Sequence, residues 1–165
     1  MTFILRWPSI LVLLALVLLS FLGALGAAGL IAGYTPPLAQ VQDVQAQAAS
    51  TGASEAGWID VAMLAGAGLF FLISAIRLMR RTQGFWTWLI GFALYGGRWA
   101  MAQHDGLVAT VQGIDLNIYM QPQAVLADLG APAAQVALLA IVFIVGLLIL
   151  VIDGADRAYW DKQAA

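Results

Sequence analysis

The chain has 165 residues, 62% of them hydrophobic and only 10% charged, with a mean hydropathy of +0.91. A soluble domain carries about a quarter charged residues, so seven basic and nine acidic side chains cannot solvate a water-soluble globule this apolar, and lipid is the solvent for much of it. Seven basic residues, six of them at predicted membrane edges, leave no nucleic-acid surface, and the absence of cysteine excludes disulfides, iron–sulfur ligation and thiol chemistry.

Charge-free runs predict an all-α integral membrane protein, a four-transmembrane-helix bundle forming one membrane domain. About 20 apolar residues cross a ~30 Å hydrocarbon layer. The first predicted span, residues 9–33, meets this with a nearly pure aliphatic core from Ile10 to Ile31. A signal peptide is the competing interpretation, with Arg6 at its start and Ala46-Gln47-Ala48 as a small-residue site. The apolar stretch is much longer than a signal core, which predicts an uncleaved anchor. An outer loop, 35–57, opens with Pro36-Pro37 and turns Ala- and Gln-rich, a composition that suits a helix or a linker.

The second span, 58–78, runs into Arg77, Arg80 and Arg81 around a cytoplasmic turn at 79–84. The third, 85–103, is interrupted by Arg98. A second outer loop, 104–132, follows. Within it Ile114, Leu116, Ile118 and Met120 alternate with Asp115, Asn117 and Tyr119, the period-2 signature of a half-buried strand. Leu107 to Val111 is the expected hairpin partner across Gln112-Gly113, and Pro122 to Leu129 is expected to be a short helix. The fourth span, 133–153, starts beside Pro132 and leaves a cytoplasmic tail, 154–165. In the tail Asp153, Arg157 and Asp161 share a helical face at i, i+4 spacing, by default a solvated one.

Orientation follows from the bases. Arg6, Arg77, Arg80, Arg81, Arg157 and Lys162 fall on one side of four spans and Arg98 on the other, so both termini are expected in the cytoplasm. Trp7, Tyr34, Trp58, Trp86, Trp99 and Trp160 fall near the predicted interfaces, where amphipathic rings sit. Small residues form stripes: Gly26, Gly29 and Gly33 on the first span, Ala62 and Gly66 on the second, Ala93 and Gly97 on the third. Such spacing lets helices pack closely without naming their partner. The richness in Ala, Gly, Leu and Val points to a bacterial inner membrane.

Arg98, in Tyr95-Gly96-Gly97-Arg98-Trp99, is the most informative charge. A charge inside the membrane faces a partner or a cavity. Asp60 and Asp105 are its expected counter-charges, each reached by an upward snorkel of roughly 10 Å. Asp60, Arg98, Trp99 and Asp105 are thus the candidate structural or partner contacts. Arg77, Arg80 and Arg81 fix topology and offer themselves to lipid headgroups, at roughly 1 kcal/mol per basic residue near the surface. His104 is the single histidine and a weak cofactor candidate. It cannot supply both axial ligands of a haem, and Met101 lies on its own helical face. Its default role is an interfacial polar residue. Ser20 is expected to bond its own helix backbone.

No motif for catalysis, cofactor or metal binding is present, and no carboxylate sits at mid-membrane. The expected function is a non-catalytic accessory or structural subunit of a larger inner-membrane complex, with respiratory and photosynthetic assemblies as analogous hosts. Its expected partners are membrane lipids and other membrane protein subunits. The alternatives are a small oligomeric transporter or channel, and an outer-face membrane enzyme using His104, Asp105 and Asp60.

Overall fold

The computed structural model describes residues 2–34, 42, 57–102, 111–120, 123 and 131–164. Four long helices carry the fold: α1 (Thr2–Ile31), α2 (Trp58–Met79), α3 (Phe85–Ala102) and α4 (Pro132–Ala164). Three stretches, Ile4–Ile31, Trp58–Met79 and Pro132–Asp161, are long and apolar enough to cross a membrane, the pattern of a multi-pass membrane protein. α3 is not among these three. Its 18 residues include Arg98, Thr87 and three tryptophans, which dilute an otherwise aliphatic helix.

Successive helices run antiparallel, and α4 closes the ring by packing on both α1 and α3. Phe71, Leu78, Leu13, Val142 and Ile149 are fully buried between them. The ring has a basic end, which carries Arg6 and Arg77 to Arg81, and a far end, which carries Asp60 and Arg98.

Two helices outrun their predicted spans. α1 begins at Thr2 and carries Pro8 inside it. Proline removes one backbone bond in the helix interior. Here the turns before it persist, because Arg6 is tied to Asp156 of α4 and Ser9 Oγ returns to the Leu5 carbonyl at 2.9 Å. α4 continues through the predicted tail to Ala164, 33 residues or about 50 Å at 1.5 Å per residue. Its last turns therefore project beyond a ~30 Å hydrocarbon layer.

The expected strand over 114–120 is instead a 3-10 turn at Leu116–Met120. Asp115 explains the difference. Its carboxylate accepts the Asn117 N–H at 3.0 Å and its carbonyl the Ile118 N–H at 3.1 Å. Such local side-chain bonding draws the backbone into a turn and out of a ladder. Among the described residues there is no strand for it to pair with. Met120 is exposed while Ile118 and Tyr119 are both half-buried, so the alternation in sequence is not an alternation of faces. The rest of the expected hairpin, 107–110, and all of the expected helix 122–129 except Gln123 lie outside the described residues.

α1 and α2 end in the same hydrogen-bonded cap. Tyr34 N–H reaches the Gly29 carbonyl and Thr82 N–H the Arg77 carbonyl, both at 2.9 Å, around a residue in the left-handed conformation. In α1 that residue is Gly33, at φ 65°, where glycine is free to go; in α2 it is Arg81, at φ 55°. A side chain in this region costs roughly 1–2 kcal/mol.

The tightest packing lies where no small-residue stripe predicts it. Gly66 and Gly97 do sit against Leu94 and Met63, but a Cβ added to Gly146 would fall 2.0 Å from the Trp88 ring. The indole lies on the bare backbone of α4, and its Nε1–H donates to the Val142 carbonyl at 3.1 Å. Phe92, one turn on in α3, stacks on the same ring with centroids 5.3 Å apart and meets Phe143 of α4 with centroids 6.4 Å apart. Gly146→Ala should therefore destabilise the bundle by about 1–3 kcal/mol through overpacking. That exceeds the roughly 1 kcal/mol by which alanine favours a helix over glycine. Gly154→Ala, where an added Cβ meets open space, keeps only that gain. Thermal unfolding in detergent should show the two midpoints moving in opposite directions.

Candidate functional site

Buried polar side chains gather in two layers, one at each end of the bundle. At the far end Arg98 Nε donates to Asp60 Oδ1, closing an ion pair between α3 and α2. The helix register brings them together. Gly66 lies against Leu94, and Gly91 against the Ala67 carbonyl, which sets Asp60 level with a point only about 3 Å beyond Arg98 at 1.5 Å per residue. No long snorkel is needed. Asp60 also lies in the first turn of α2, where a negative charge is favoured by the helix dipole.

Arg98 is 7% exposed, Asp60 2%, and Tyr95 and Trp99 are buried beside them. Trp99 is thus an inward-packed ring. The other five aromatic residues expected at interfaces, Trp7, Tyr34, Trp58, Trp86 and Trp160, are exposed. Gln135 of α4 is buried at the same end. Asp60 Oδ2 has no hydrogen-bond partner among the described residues. Asp105 and His104 lie outside the described residues, so the pairing of Arg98 is described toward Asp60 alone.

The layer at the basic end is more elaborate, and sequence reasoning missed its centre. Asp153, expected on a solvated tail face, is 2% exposed. It makes no ion pair with Arg157. Its carboxylate accepts the Gly84 N–H at 2.9 Å and the Phe85 N–H at 2.9 Å. These amides open α3, where the first N–H groups of a helix have no partner of their own. Asp153 is therefore an N-cap supplied by another helix. The Gly84 carbonyl accepts Ser74 Oγ at 3.0 Å and Thr87 Oγ at 2.8 Å, so one peptide joins α2, α3 and α4. Beside it Arg6 donates to both oxygens of Asp156, at 2.5 and 2.8 Å, joining α1 to α4.

The signal for Asp153 was present in the sequence. An acid at the very end of an apolar run, opposite a turn that closes on Thr82-Gln83-Gly84, meets free amides if the helices are antiparallel. Arg77, Arg80 and Arg81 are exposed at this same end. Ser20, expected to bond its own helix, is fully buried against Gly68 with no partner for its Oγ among the described residues.

Chemically, these groups hold helices. Among the described residues no three His, Asp or Glu side chains gather as a metal site. A cleft of about 380 Å³ lies between the 111–119 segment and α4. It is lined by Val111, Ile114, Tyr119, Val136, Ala140 and Ile141 among others, and Tyr119 turns its hydroxyl to the Ala133 carbonyl at 3.0 Å. Comparison with known proteins adds no relative: no protein-family model, curated protein or solved structure matches the chain.

Asp153→Ala should lower stability by about 1–3 kcal/mol, because it strands two buried amides. Asp153→Asn should cost less, since its remaining oxygen still accepts a bond. Unfolding midpoints of the two variants in detergent check the order; equal midpoints for both variants and the unsubstituted chain would remove the capping role.

Proposed function

We propose that the chain is a non-catalytic accessory or structural subunit of a larger inner-membrane protein complex. One observation carries this: each charged side chain buried among the described residues is bound to another helix of the same chain. Arg98 holds Asp60, Arg6 holds Asp156, and Asp153 holds the start of α3. Charges placed within a membrane mark solute or proton pathways when they line a cavity. Here they serve the bundle.

In this proposal α3 also spans the membrane, making four spans, both termini are cytoplasmic, and the membrane is a bacterial inner membrane. The six bases at the basic end support that orientation, against Arg98 alone at the far end. α1 supports the role as a subunit. Its Ile4, Leu11, Leu18 and Leu25, seven residues apart, form an exposed aliphatic ridge that suits lipid or a neighbouring subunit's helix. Energy-transducing complexes, respiratory or photosynthetic, are the host class to examine first. A second reading, a small oligomeric transporter or channel, draws its support from Asp60 Oδ2 at the far end, which has no hydrogen-bond partner among the described residues.

The experiment is purification of the tagged chain in gentle detergent, followed by a native gel, mass spectrometry of the band and an absorption spectrum. Stoichiometric co-purification with larger membrane subunits is expected. A homogeneous homo-oligomer without other subunits or chromophore would contradict the proposal and bring transport forward.

A further inference from the structure

We propose that Arg77, Arg80 and Arg81 form a binding site for the phosphate of an anionic phospholipid headgroup at the basic end of α2. This rests on α2 crossing the membrane and not on the accessory-subunit proposal.

The arginines of this chain divide into two kinds. Arg6 and Arg98 are each 7% exposed and paired with an aspartate. Arg77, Arg80 and Arg81 are exposed, and their side chains make no hydrogen bond or ion pair among the described residues. The acids of α4 nearest this end are already engaged: Asp153 by the amides of Gly84 and Phe85, Asp156 by Arg6. The positive charge at the turn is therefore left uncompensated by these groups.

The arrangement works against the stability of the free chain in two ways. Residues three and four apart are neighbours on a helix surface, and like charges there repel. Arg77 lies in the last turn of α2 and Arg80, three residues on, caps the same helix, so these two charges repel. Arg81 in addition occupies the left-handed cap position at φ 55° that α1 gives to Gly33. A glycine at position 81 would close the same cap without strain. Orientation in the membrane does not require this particular charge, because Arg6, Arg77, Arg80 and Arg157 already mark the side. An anion between the guanidinium groups turns the repulsion into attraction.

The chemistry selects the anion. The backbone N–H groups of Arg81 and Thr82 are occupied by the Leu78 and Arg77 carbonyls, so recognition falls to the guanidinium forks. Planar forks match a phosphate in bidentate fashion. The site directly follows the last apolar turn of α2, which ends at Met79, so it stands at the depth of lipid headgroups. Exposed Trp86, at the start of α3, is an interfacial ring at the same end.

The test is native mass spectrometry of the full chain in detergent, titrated with phosphatidylglycerol or phosphatidylcholine, for the unsubstituted protein, Arg81→Gly and Arg77→Gln/Arg80→Gln/Arg81→Gln. The unsubstituted chain should retain phosphatidylglycerol several-fold more than phosphatidylcholine. Arg81→Gly should reduce that preference several-fold while its unfolding midpoint stays level or rises, which separates lost binding from lost fold. The triple variant should abolish the preference. An unchanged preference in both variants would overturn the site. Displacement of phosphatidylglycerol by millimolar inorganic phosphate would overturn its assignment to lipid.

Discussion

The Asp153 carboxylate, held by the first amides of α3, is the interaction on which the geometry of the bundle turns. Gly84 is buried away from solvent, so the open amides at this helix start must find an acceptor inside the protein. α4 supplies it. Because the same Gly84 peptide takes the hydroxyls of Ser74 and Thr87 through its carbonyl, α2, α3 and α4 are fixed at one height at the basic end. Once that height is set, the antiparallel register places Trp88 on the bare backbone at Gly146 and Arg98 within reach of Asp60. The Arg6–Asp156 pair then brings α1 into the ring and keeps its first turns helical on both sides of Pro8.

Much of this was legible in the sequence because the bilayer simplifies the problem. Charge-free runs mark the helices, and an arginine in an apolar run demands a counter-charge, which made Asp60 a named candidate before any coordinates. Three features were missed. The cap by Asp153 is a contact between residues 69 apart, so its signal, an acid ending an apolar run opposite a turn with open amides, becomes visible only once the antiparallel pairing is assumed. The site on Gly146 depends on one large indole facing one absent side chain, a fact of tertiary register and not of stripe spacing. The 114–120 segment carried a strand's alternation, but Asp115 bonds to its own neighbours, and local turn chemistry prevailed over periodicity. His104 and Asp105 lie outside the described residues, so the far-end layer is drawn through Asp60, Arg98, Tyr95, Trp99 and Gln135.

Functionally, the two layers differ in what they leave over. The far-end layer turns inward, and its charge pair is sealed by aromatic rings. The basic-end layer also ties its buried charges to other helices of the chain, yet presents three further arginines outward. In the proposed reading, a chain whose buried charges serve its own fold, and whose outer surface offers an aliphatic ridge and one basic turn, is held among lipids and other helices. That is the physical content of the proposed subunit role.

The central claim is that the buried charges act as links between helices, and the Asp60–Arg98 pair tests it most directly. Unfolding in detergent should be measured for Asp60→Leu, Arg98→Met and the double substitution. Removing one partner of a buried pair costs about 3–5 kcal/mol, whereas replacing both by apolar side chains of similar volume is near neutral. Two damaged single variants and a double variant restored close to the unsubstituted chain are expected. Single variants as stable as the unsubstituted chain would contradict the claim.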